Sequence, residues 1–559
     1  MVNPDSNRPW FSVYPENVPT HIDFPEIPLY SLLDQSTEKY PNNTALIFMG
    51  KKTSYQELSE QVNKFANALV KLGVKPKSRV AVMLPNCPQY VISYYAILKI
   101  GAIVVQTNPL YMENELIFQL NDAEAEFIIT LDILSGRINK VINKTLLKSV
   151  IITSIKDALP FPINYLYPIK AKKDGLNLNV EPKPYIVWFK DLISSNSSDF
   201  KPANVDVKND IAVLQYTGGT TGTSKGVMLT HYNLLVNTIQ VKCFNPHLED
   251  GKEVMLSAVP FFHVYGMTVC LNQGVLIGAA NVLIPKFEID QLLKAMKKNK
   301  PTIFPGAPTM YIAVINHPQV TSYDLTSIKV CISGSAPLPI EVQQEFERIT
   351  KGNLVEGYGL SEASPVTHCT PLEGKRKPGI GLPLANTDCK IVDLDTNKVL
   401  GPGEIGELLI KGPQIMKGYW NRPEETREVL EDGWLRTGDI AMMDEEGCFS
   451  IVDRKKDMII AGGFNIYPRD VEEVLFQHPS VQEAVVIGVP DKYRGETVKA
   501  YIVLKENASV SEKDIINFCR ERMAKYKAPT IVEFRAELPK SMVGKVLRRV
   551  LAEEEKKSS

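Results

Sequence analysis

The sequence predicts an α/β protein of more than one domain, and three observations carry the prediction. A chain of 559 residues is longer than a single hydrophobic core usually supports. Strand-like apolar runs alternate with amphipathic helical patterns through its first three quarters, which is typical of α/β architecture. After Ala385 the strands shorten and glycines become frequent, so the last quarter must be built differently.

The α/β part can be followed along the chain. Apolar residues at helical spacing predict helices over Tyr55–Leu72 and Ile289–Lys298. Residues 254–285 carry no charged side chain and could cross a bilayer by length, but internal proline, asparagine and glutamine residues favour a buried β-α-β unit. Short strand-like apolar runs are found at 80–84, 103–106, 127–130, 150–153, 211–214, 282–284 and 330–333.

Residues 155–190 interrupt this rhythm with prolines, aromatic residues and lysines. Such a segment is either an insertion loop or a patch that touches a membrane surface. We favour the loop.

The last quarter predicts two units. Short strands at 388–393, 405–411 and 448–452 indicate an antiparallel subdomain. The charged stretch 453–457 (DRKKD) then resembles a hinge, and Asp453 is its first residue. Beyond it, helices at 468–478 and 512–520 and strands at 484–489 and 500–504 form a compact α+β unit. We therefore divide the chain into domains 1–452 and 453–559.

Composition excludes some functions. The chain has 63 basic and 64 acidic residues, so there is no general electrostatic argument for binding nucleic acid. Its eight cysteines are scattered without metal-ligand spacing, which favours reduced thiols in a cytoplasmic protein. The polar, proline-broken start is unlike a targeting peptide.

Residues 216–227 (YTGGTTGTSKGV) combine glycines, hydroxyls and one lysine directly after a buried strand. Glycines allow successive N–H groups to face one anion, and Lys225 adds a mobile positive charge. The pattern favours a polyphosphate ligand. It is not a Walker A loop, because Ser224 precedes the lysine and Gly226 follows it.

Seven motifs in a fixed order extend this picture. They are TGGTTGTSKG (217–226), PFFHVYG (260–266), GSAP (334–337), EGYGLSE (356–362), WLRTGD (434–439), DRKKD (453–457) and LPKSMVGK (538–545). On these motifs the chain resembles the adenylate-forming superfamily of acyl-CoA synthetases, luciferases and peptide-synthetase adenylation domains, and most of all its bacterial and archaeal long-chain fatty-acyl-CoA ligases. The resemblance runs from about Tyr30 to Arg549.

The resemblance implies a fold with two α/β subdomains and a small antiparallel β subdomain in the large domain, and a mobile α+β C-terminal domain that rotates about Asp453. It also implies ATP, Mg²⁺ and CoA. The implied ATP and AMP site comprises Thr217, Gly218, Gly219, Thr220, Thr221, Gly222, Lys225, Gly334, Ser335, Ala336, Glu356, Gly357, Tyr358, Gly359, Leu360, Ser361, Asp439, Arg454 and Lys545.

Several of these residues have a physical sense of their own. Tyr358 offers a flat face for adenine, and the Asp439 carboxylate can accept hydrogen bonds from both ribose hydroxyls. The Glu362 carboxylate suits a hard divalent cation, and the resemblance implies Mg²⁺ there with Thr217 as the companion ligand. Lys545 can stabilise the charge that builds up when a carboxylate attacks the α-phosphate of ATP.

The resemblance further places His263 at the acyl carboxylate or tunnel mouth, as a third catalytic candidate beside Lys545 and Glu362. Met267 stands where some long-chain ligases carry a gating tryptophan. The implied acyl pocket consists of His263, Met267, Gly306, Gly334 and Gly359. The implied CoA-binding residues are Gly462, Gly463 and Phe464.

We therefore predict an ATP-dependent fatty acid CoA ligase that forms acyl-AMP and pyrophosphate and then acyl-CoA and AMP, with medium or long acyl chains favoured. A short-chain or aryl acid CoA ligase is the nearest alternative. A carrier-protein loading domain and a luciferase-type oxygenase are more remote, and a non-catalytic nucleotide- or lipid-binding relative is a rival from another class. The prediction includes no nucleic-acid partner and is compatible with a homodimer and with peripheral membrane contact.

Overall fold

The computed structural model describes residues 8–217, 224–245, 247–372, 377, 379–461, 464–491, 494–506, 508–541 and 545–558. The strands within these ranges are β1 (Thr44–Phe48), β2 (Lys51–Ser54), β3 (Arg79–Met83), β4 (Ile103–Gln106), β5 (Phe127–Leu131), β6 (Ser149–Thr153), β7 (Ile186–Trp188), β8 (Ile211–Thr217), β9 (Lys225–Thr230), β10 (Val254–Ser257), β11 (Ala280–Leu283), β12 (Val330–Ser333), β13 (Asn353–Gly359), β14 (Val366–Cys369), β15 (Leu382–Pro383), β16 (Asp388–Val392), β17 (Ile405–Lys411), β18 (Gly418–Tyr419), β19 (Leu430–Glu431), β20 (Trp434–Met443), β21 (Phe449–Arg454), β22 (Ile459–Ala461), β23 (Phe464–Ile466), β24 (Val481–Asp491), β25 (Gly495–Leu504) and β26 (Ile531–Phe534).

The α-helices, in the same ranges, are α1 (Ser31–Lys39), α2 (Tyr55–Lys71), α3 (Pro88–Lys99), α4 (Glu113–Asp122), α5 (Ser135–Val141), α6 (Ile163–Lys173), α7 (Phe189–Ser194), α8 (His231–Cys243), α9 (Gln273–Leu276), α10 (Ile289–Asn299), α11 (Pro308–Ile315), α12 (Ile340–Thr350), α13 (Pro423–Val429), α14 (Pro468–Phe476), α15 (Glu512–Arg522) and α16 (Arg548–Ser558). A π-helix, Gly266–Asn272, leads into α9.

The first α/β subdomain is built on an eight-stranded sheet with the order β18-β9-β8-β4-β3-β5-β6-β7. The strands from β8 to β7 are parallel, and β9 runs antiparallel to β8. Strands β4 and β5 are buried along their whole length, and helix α3 is buried from Gln89 to Lys99. Strands covered on both faces need continuous apolar runs, which is why the sequence signal was strong here.

The second α/β subdomain contains the sheet β10-β11-β1-β2. Strands β10 and β11 are parallel neighbours joined by the buried π-helix and α9, so the predicted β-α-β unit over 254–285 is confirmed. Single bridges at Ile303 connect β10 to β12, and β12 pairs in parallel with β13. The pairing of β12 with β13 places the ends of these two strands beside each other.

The predicted antiparallel subdomain is also confirmed. Its sheet has the order β16-β17-β20-β19, with β21 paired to β20. The C-terminal unit has its own sheet, β23-β22-β25-β24, with β26 parallel to β25. Buried members of the main core run from Trp10 to Phe449, whereas the buried residues from Ile459 onward form separate clusters. The boundary at Asp453 itself stays a prediction.

The insertion-loop prediction for 155–190 was wrong. Helix α6 occupies part of the segment, and β7 adds a parallel strand to the edge of the eight-stranded sheet. Pro168 lies inside α6, and a proline within a run argues against a helix in sequence reasoning. Contact of the helix with the protein below it overrides that local preference.

The eight cysteines are free thiols, and six of them are buried. Among the residues that the structure describes, no helix is both long and apolar enough to span a bilayer.

Candidate active site

Asp439 is the centre of the site. It lies on β20 directly opposite Arg454 on β21, and the Arg454 Nε is 3.0 Å from its Oδ1. The Tyr358 hydroxyl donates a hydrogen bond to the other oxygen, Oδ2, at 2.5 Å. The carboxylate is held on both oxygens, one by a cation and one by a neutral hydroxyl.

The local backbone explains why Asp439 takes this position. Gly438 has a φ of +69°, in the left-handed region that glycine adopts without strain. The Thr437 hydroxyl accepts a hydrogen bond from the Asp439 N–H at 3.1 Å, and the Lys455 N–H donates to the Gly438 carbonyl at 3.0 Å. Asp439 is only 3% exposed. A carboxylate this buried needs compensating partners, and Arg454 and Tyr358 supply them.

The charges around Asp439 shift neighbouring pKa values in the expected directions. The Asp439 carboxylate raises the pKa of Arg454 above its usual value. Burial raises the pKa of Tyr358 well above its ordinary range, and Asp439 adds to that rise. Tyr358 is therefore a neutral hydrogen-bond donor at any physiological pH.

A second cluster surrounds Glu362. The Tyr419 hydroxyl donates to Glu362 Oε1 at 2.8 Å, and the Lys225 Nζ lies 5.0 Å from the centre of the Tyr419 ring. Tyr419 stands on β18, which pairs with β9, the strand that begins at Lys225. A short strand at the sheet edge thus links the glycine-rich loop to Glu362.

Sequence reasoning missed Tyr419. It lies in the segment GYWNRPEE (418–425), whose residues are typical of a turn followed by a short helix. The pairing of β18 with β9 is a long-range contact that no local pattern indicates.

The predicted phosphate loop is anchored at both ends. Thr217 ends β8, Lys225 starts β9, and the two residues are paired across the hairpin. The Ser224 hydroxyl donates to the Thr217 carbonyl. The loop therefore joins antiparallel strands rather than leading into a helix. The predicted ligands Gly218, Gly219, Thr220, Thr221 and Gly222 lie outside the described residues.

Two further predicted segments meet because β12 and β13 are parallel neighbours. Gly334, Ser335 and Ala336 follow β12, while Glu356 to Gly359 form the end of β13, and Ser333 pairs with Glu356. The carboxyl ends of parallel strands converge on one edge, where ligands commonly bind. Ser335 has a φ of +72°, an uncommon value for a residue with a side chain. Leu360 and Ser361 continue from this edge to Glu362.

Glu356, at this edge of the sheet, has a carboxyl group with a raised pKa. Burial raises its pKa to about 7, opposed by the nearby positive charge of Arg469 and a hydrogen bond from the Leu338 N–H. Arg469 belongs to α14, so the C-terminal domain contributes charge to this part of the site.

Lys545 lies near enough to Arg454 and Asp439 to feel their charges. The positive charge of Arg454 is the main cause that lowers the pKa of Lys545 to about 8, while Asp439 acts in the opposite direction. Lys456 was not predicted, yet burial and then Arg454 lower its pKa to about 8 as well. Three cationic side chains thus share the space near one buried carboxylate, an excess of positive charge that suits a polyanionic ligand.

Asp453, the predicted hinge residue, links β21 to α14 through its carboxylate. Its Oδ1 accepts from the Arg454 N–H at 2.7 Å, and its Oδ2 accepts from the Arg469 N–H at 2.8 Å. Arg469 is in the first turn of α14, so the carboxylate caps that helix. Burial raises the pKa of Asp453 to about 6.

The predicted acyl residues are found around the π-helix. Burial lowers the pKa of His263 to about 4, so its imidazole is neutral at physiological pH, and its ring lies 4.7 Å from that of Phe262. Met267 is fully buried and its Sδ accepts from Gln106 Nε2 at 3.2 Å.

The three glycines proposed to keep a channel open are instead close to other groups. A Cβ on Gly334 would stand 3.1 Å from Tyr265, and one on Gly306 would stand 3.0 Å from Tyr311. At Gly359 it would meet the Pro365 carbonyl oxygen at 2.0 Å. A side chain at any of the three positions would therefore be crowded, and their part in an acyl channel stays a prediction.

Phe464 is exposed and its ring stacks on Tyr526 at 4.6 Å within the C-terminal domain. Gly462 and Gly463 lie outside the described residues.

Comparison with known proteins defines the class. The AMP-binding enzyme model matches residues 33–420, and the model of the AMP-binding enzyme C-terminal domain matches residues 470–545. The chain belongs to the AMP-binding enzyme family, and the predicted adenylate-forming fold, with its large N-terminal and small C-terminal domain, is confirmed.

Relatives within the family are similar over almost their whole length. A long-chain-fatty-acid–CoA ligase of Bacillus subtilis is 51% identical over 98% of both chains. One of Escherichia coli O157:H7 is 40% identical, again over 98% of both chains. The crystal structure of the anthranilate CoA ligase AuaEII in complex with anthranoyl-AMP has a TM-score of 0.85 and 28% identity, covering 96% of this chain and 99% of that one.

Proposed function

We propose that this protein is an AMP-forming acid–thiol ligase that converts a fatty acid, ATP and CoA into acyl-CoA. The observation that carries the proposal is the buried Asp439 carboxylate, held by Tyr358 and Arg454, with Lys545 presented beside it from the other domain. The names of the full-length relatives support the fatty acid as substrate.

In the first half-reaction the fatty carboxylate attacks the α-phosphorus of ATP, the bond to the bridging oxygen breaks, and pyrophosphate leaves. Negative charge gathers where two anions meet. The Lys545 ammonium, opposite the Asp439 carboxylate, stabilises that charge. Tyr358 and Arg454 hold Asp439 so that its oxygens face the ribose, and the adenine lies against the Tyr358 ring. No covalent bond to the protein is required.

The residues proposed for Mg²⁺ fit that ion by their chemistry. Thr217 and Glu362 offer hard oxygen ligands, and the Tyr419 hydroxyl orients one oxygen of Glu362. The described residues contain no group of three or more His, Cys, Asp or Glu side chains able to hold a metal. Mg²⁺ commonly takes most of its ligands from substrate phosphates and water. When bound, Mg²⁺ would neutralise phosphate charge.

The second half-reaction needs the CoA thiol to reach the acyl-adenylate, with AMP as leaving group. In the proposed mechanism, Lys545 would stand in that approach after adenylation. We propose rotation of domain 453–559 about Asp453, which withdraws Lys545 and brings Gly462, Gly463 and Phe464 toward the pantetheine arm. The exposed Phe464 ring is available for such a contact.

Medium- and long-chain acids are proposed as substrates, with His263 and Met267 at the acyl site. An aryl or short-chain acid ligase is the second candidate, because a structurally similar relative is an anthranilate CoA ligase. A homodimer and peripheral contact with a membrane belong to the proposal as well.

The experiment that tests the proposal is pyrophosphate release by the full chain with ATP, Mg²⁺ and CoA. Straight-chain acids from acetate to oleate are compared with benzoate and cinnamate. Highest kcat/KM at medium or long chains supports the fatty acid ligase. A maximum at short or aromatic acids selects the second candidate, and absence of pyrophosphate release with every acid by folded protein would exclude both.

A further inference from the structure

Residues 161–176 form an exposed apolar cluster that the proposed activity does not use. Most large apolar side chains on a protein surface are scattered singly and need no explanation. Here several follow one another within a single helix and its flanks. The exposed members are Phe161 (81%), Ile163 (45%), Tyr165 (72%), Leu166 (56%), Ile169 (70%) and Leu176 (40%).

Helix α6 is apolar on both of its sides, which accounts for the exposure. Tyr167 and Ala171 are four residues apart and lie on the protein side, where Ala171 is buried and Tyr167 packs against the main core. The helix contacts the short 3₁₀ turn Ile155–Ala158 beneath it. Leu166 and Ile169 therefore point outward. An ordinary surface helix carries polar residues on that side, so this face is built for contact with something apolar.

The same helix ends in positive charge. Lys170, Lys172 and Lys173 occupy its last turn and are exposed. No acidic residue occurs between positions 158 and 173. Lysines in the last turn of a helix are also stabilised by the negative end of the helix dipole. The dipole explains the lysines but not the exposed apolar residues beside them.

We propose that this surface, which we call the α6 face (Phe161 to Leu176), binds the interface of a lipid bilayer containing anionic lipids. Aliphatic side chains would enter the boundary between headgroups and acyl chains, Tyr165 would lie at headgroup level, and the three lysines would contact lipid phosphates. The helix lies on the membrane and does not cross it.

Charge favours a bilayer over a second copy of the chain. A twofold interface brings the same patch of two subunits together. It would set the three lysines of each of two α6 helices on one small surface, where Asp174 is the single acidic residue of each segment to balance them. Anionic lipids supply the balancing charge.

The proposed function gives the contact a purpose, because a fatty acid partitions into bilayers and would be collected there. The inference about the surface stands on exposure and charge alone.

The test is co-sedimentation of the full chain with vesicles. One set is pure phosphatidylcholine, and the other is an equal mixture of phosphatidylcholine and phosphatidylglycerol. We expect binding to the mixed vesicles that is at least about tenfold tighter than to the neutral ones, and that weakens with added salt.

Two variants separate the apolar and the charged contributions. L166S/I169S and K170Q/K172Q/K173Q should each bind mixed vesicles about tenfold more weakly or worse. The matched control is V399S/I405S, which changes two exposed apolar residues of the antiparallel subdomain and should bind like the wild type. Circular dichroism and thermal melts of all three variants check that they are folded.

The proposal is overturned if the wild type fails to sediment with mixed vesicles, or if both α6 variants bind them like the control. It is also overturned if ultracentrifugation shows that L166S/I169S turns a dimer into a monomer while vesicle binding is unchanged, since the face would then be a subunit contact. Vesicle binding requires no turnover. Pyrophosphate release with octanoate, measured on the same samples, therefore shows separately whether the proposed activity fails.

Discussion

Asp439 and Lys545 interact electrostatically but are held in very different ways. Asp439 lies inside a five-stranded antiparallel sheet, is almost completely buried, and has a partner on each carboxylate oxygen. Lys545 is an exposed residue of a tail loop. Its N–H donates to the Ser541 hydroxyl and its carbonyl accepts from the Ser541 N–H, so these backbone contacts stay within the loop.

This difference suggests a division of labour. A rigid anion can orient a nucleotide through both half-reactions, because its geometry is fixed by the sheet. A cation attached through its own loop to a separate domain can be delivered for one step and withdrawn for the next. Five predictions test this contrast, beginning with the largest expected effect.

Lys545→Ala should reduce adenylation by roughly a hundredfold or more, because the charge nearest the reacting phosphate is lost. Thioester formation from synthetic acyl-AMP should be nearly unchanged, because Lys545 acts in the first step only. Pyrophosphate release measures the first rate, and acyl-CoA formation in a rapid-mixing experiment measures the second.

The control for this variant is Lys540→Ala in the same loop. Lys540 forms an ion pair with Glu483 at 2.6 Å and should leave both rates within about twofold, as expected for a surface pair. Equal losses in the two half-reactions of Lys545→Ala would contradict the idea that the cation is delivered for one step alone.

Asp439→Asn should impair both half-reactions, by at least about tenfold in kcat/KM, because a charge-assisted contact is lost and Arg454 is left without its anion. The KM for ATP and for acyl-AMP should rise together. Asp444→Asn, which alters an ion pair with Lys377 at 2.6 Å in a neighbouring turn, is the matched control. If Asp439→Asn impaired adenylation alone, Asp439 would act in only one half-reaction, as is proposed for Lys545.

Glu362→Gln should raise the Mg²⁺ concentration needed for half-maximal activity by about tenfold, because a neutral amide is a weaker ligand than a carboxylate. Tyr419→Phe should raise it by about threefold, because it removes only the hydrogen bond that orients Glu362. Activity is titrated with Mg²⁺ at fixed ATP, and melting curves confirm folding. An unchanged Mg²⁺ requirement in both variants would remove the Glu362 cluster from the metal site.

The sequence was most informative where one local rule decides the structure. The strands at 103–106 and 330–333 were predicted to the residue, because fully buried parallel strands need continuous apolar runs. The fold class and the antiparallel subdomain followed from the same reasoning. Helix α6 was missed, because an internal proline and exposed apolar residues both argue locally against a surface helix.

The site shows the same limit. Motifs located Asp439, Tyr358, Arg454 and Lys545 individually, and the structure adds that Tyr358 and Arg454 share one carboxylate. Tyr419 and Lys456 escaped notice, because Tyr419 reaches the site through the pairing of β18 with β9 and Lys456 lies near Asp439 through the pairing of β21 with β20. Neither pairing leaves a periodic signal in the chain. The roles of the individual site residues stay predictions until the variants are assayed.

The pH dependence of adenylation offers a smaller effect that again singles out Lys545. With a pKa of about 8, its ammonium is fully protonated well below that pH and loses its proton above it. Adenylation kcat/KM, which reports the free enzyme, should therefore fall several-fold between pH 8 and 9. In Lys545→Arg the guanidinium keeps its charge, so the decline should disappear even if the maximum is lower. If Lys545→Arg shows a decline of the same size, the decline is caused by another titrating group, such as Lys456.

The smallest expected effect is a change in the free energy of unfolding, and it concerns Glu356 in the large domain. The folded-state pKa of Glu356 is raised from 4.5 to about 7, so the stability linked to its proton is fully present below pH 4.5 and is lost as pH rises toward 7. Glutamine is neutral throughout. Glu356→Gln should therefore gain stability relative to wild type by roughly 1 kcal/mol between pH 5 and pH 8.

Urea unfolding at the two pH values measures this gain, because every other titrating group cancels in the difference. The variant also loses the attraction between the Glu356 carboxylate and Arg469, which offsets part of the gain in stability. That attraction acts between the large domain and the C-terminal domain. Glu347→Gln, in the nearby helix α12, controls for removal of a negative charge. If Glu356→Gln gains no more stability at pH 8 than at pH 5, the Glu356 carboxyl ionises in the folded protein without a cost in stability. The large domain would then hold no strained buried charge at this edge, and the contrast with the Lys545 loop would be weaker.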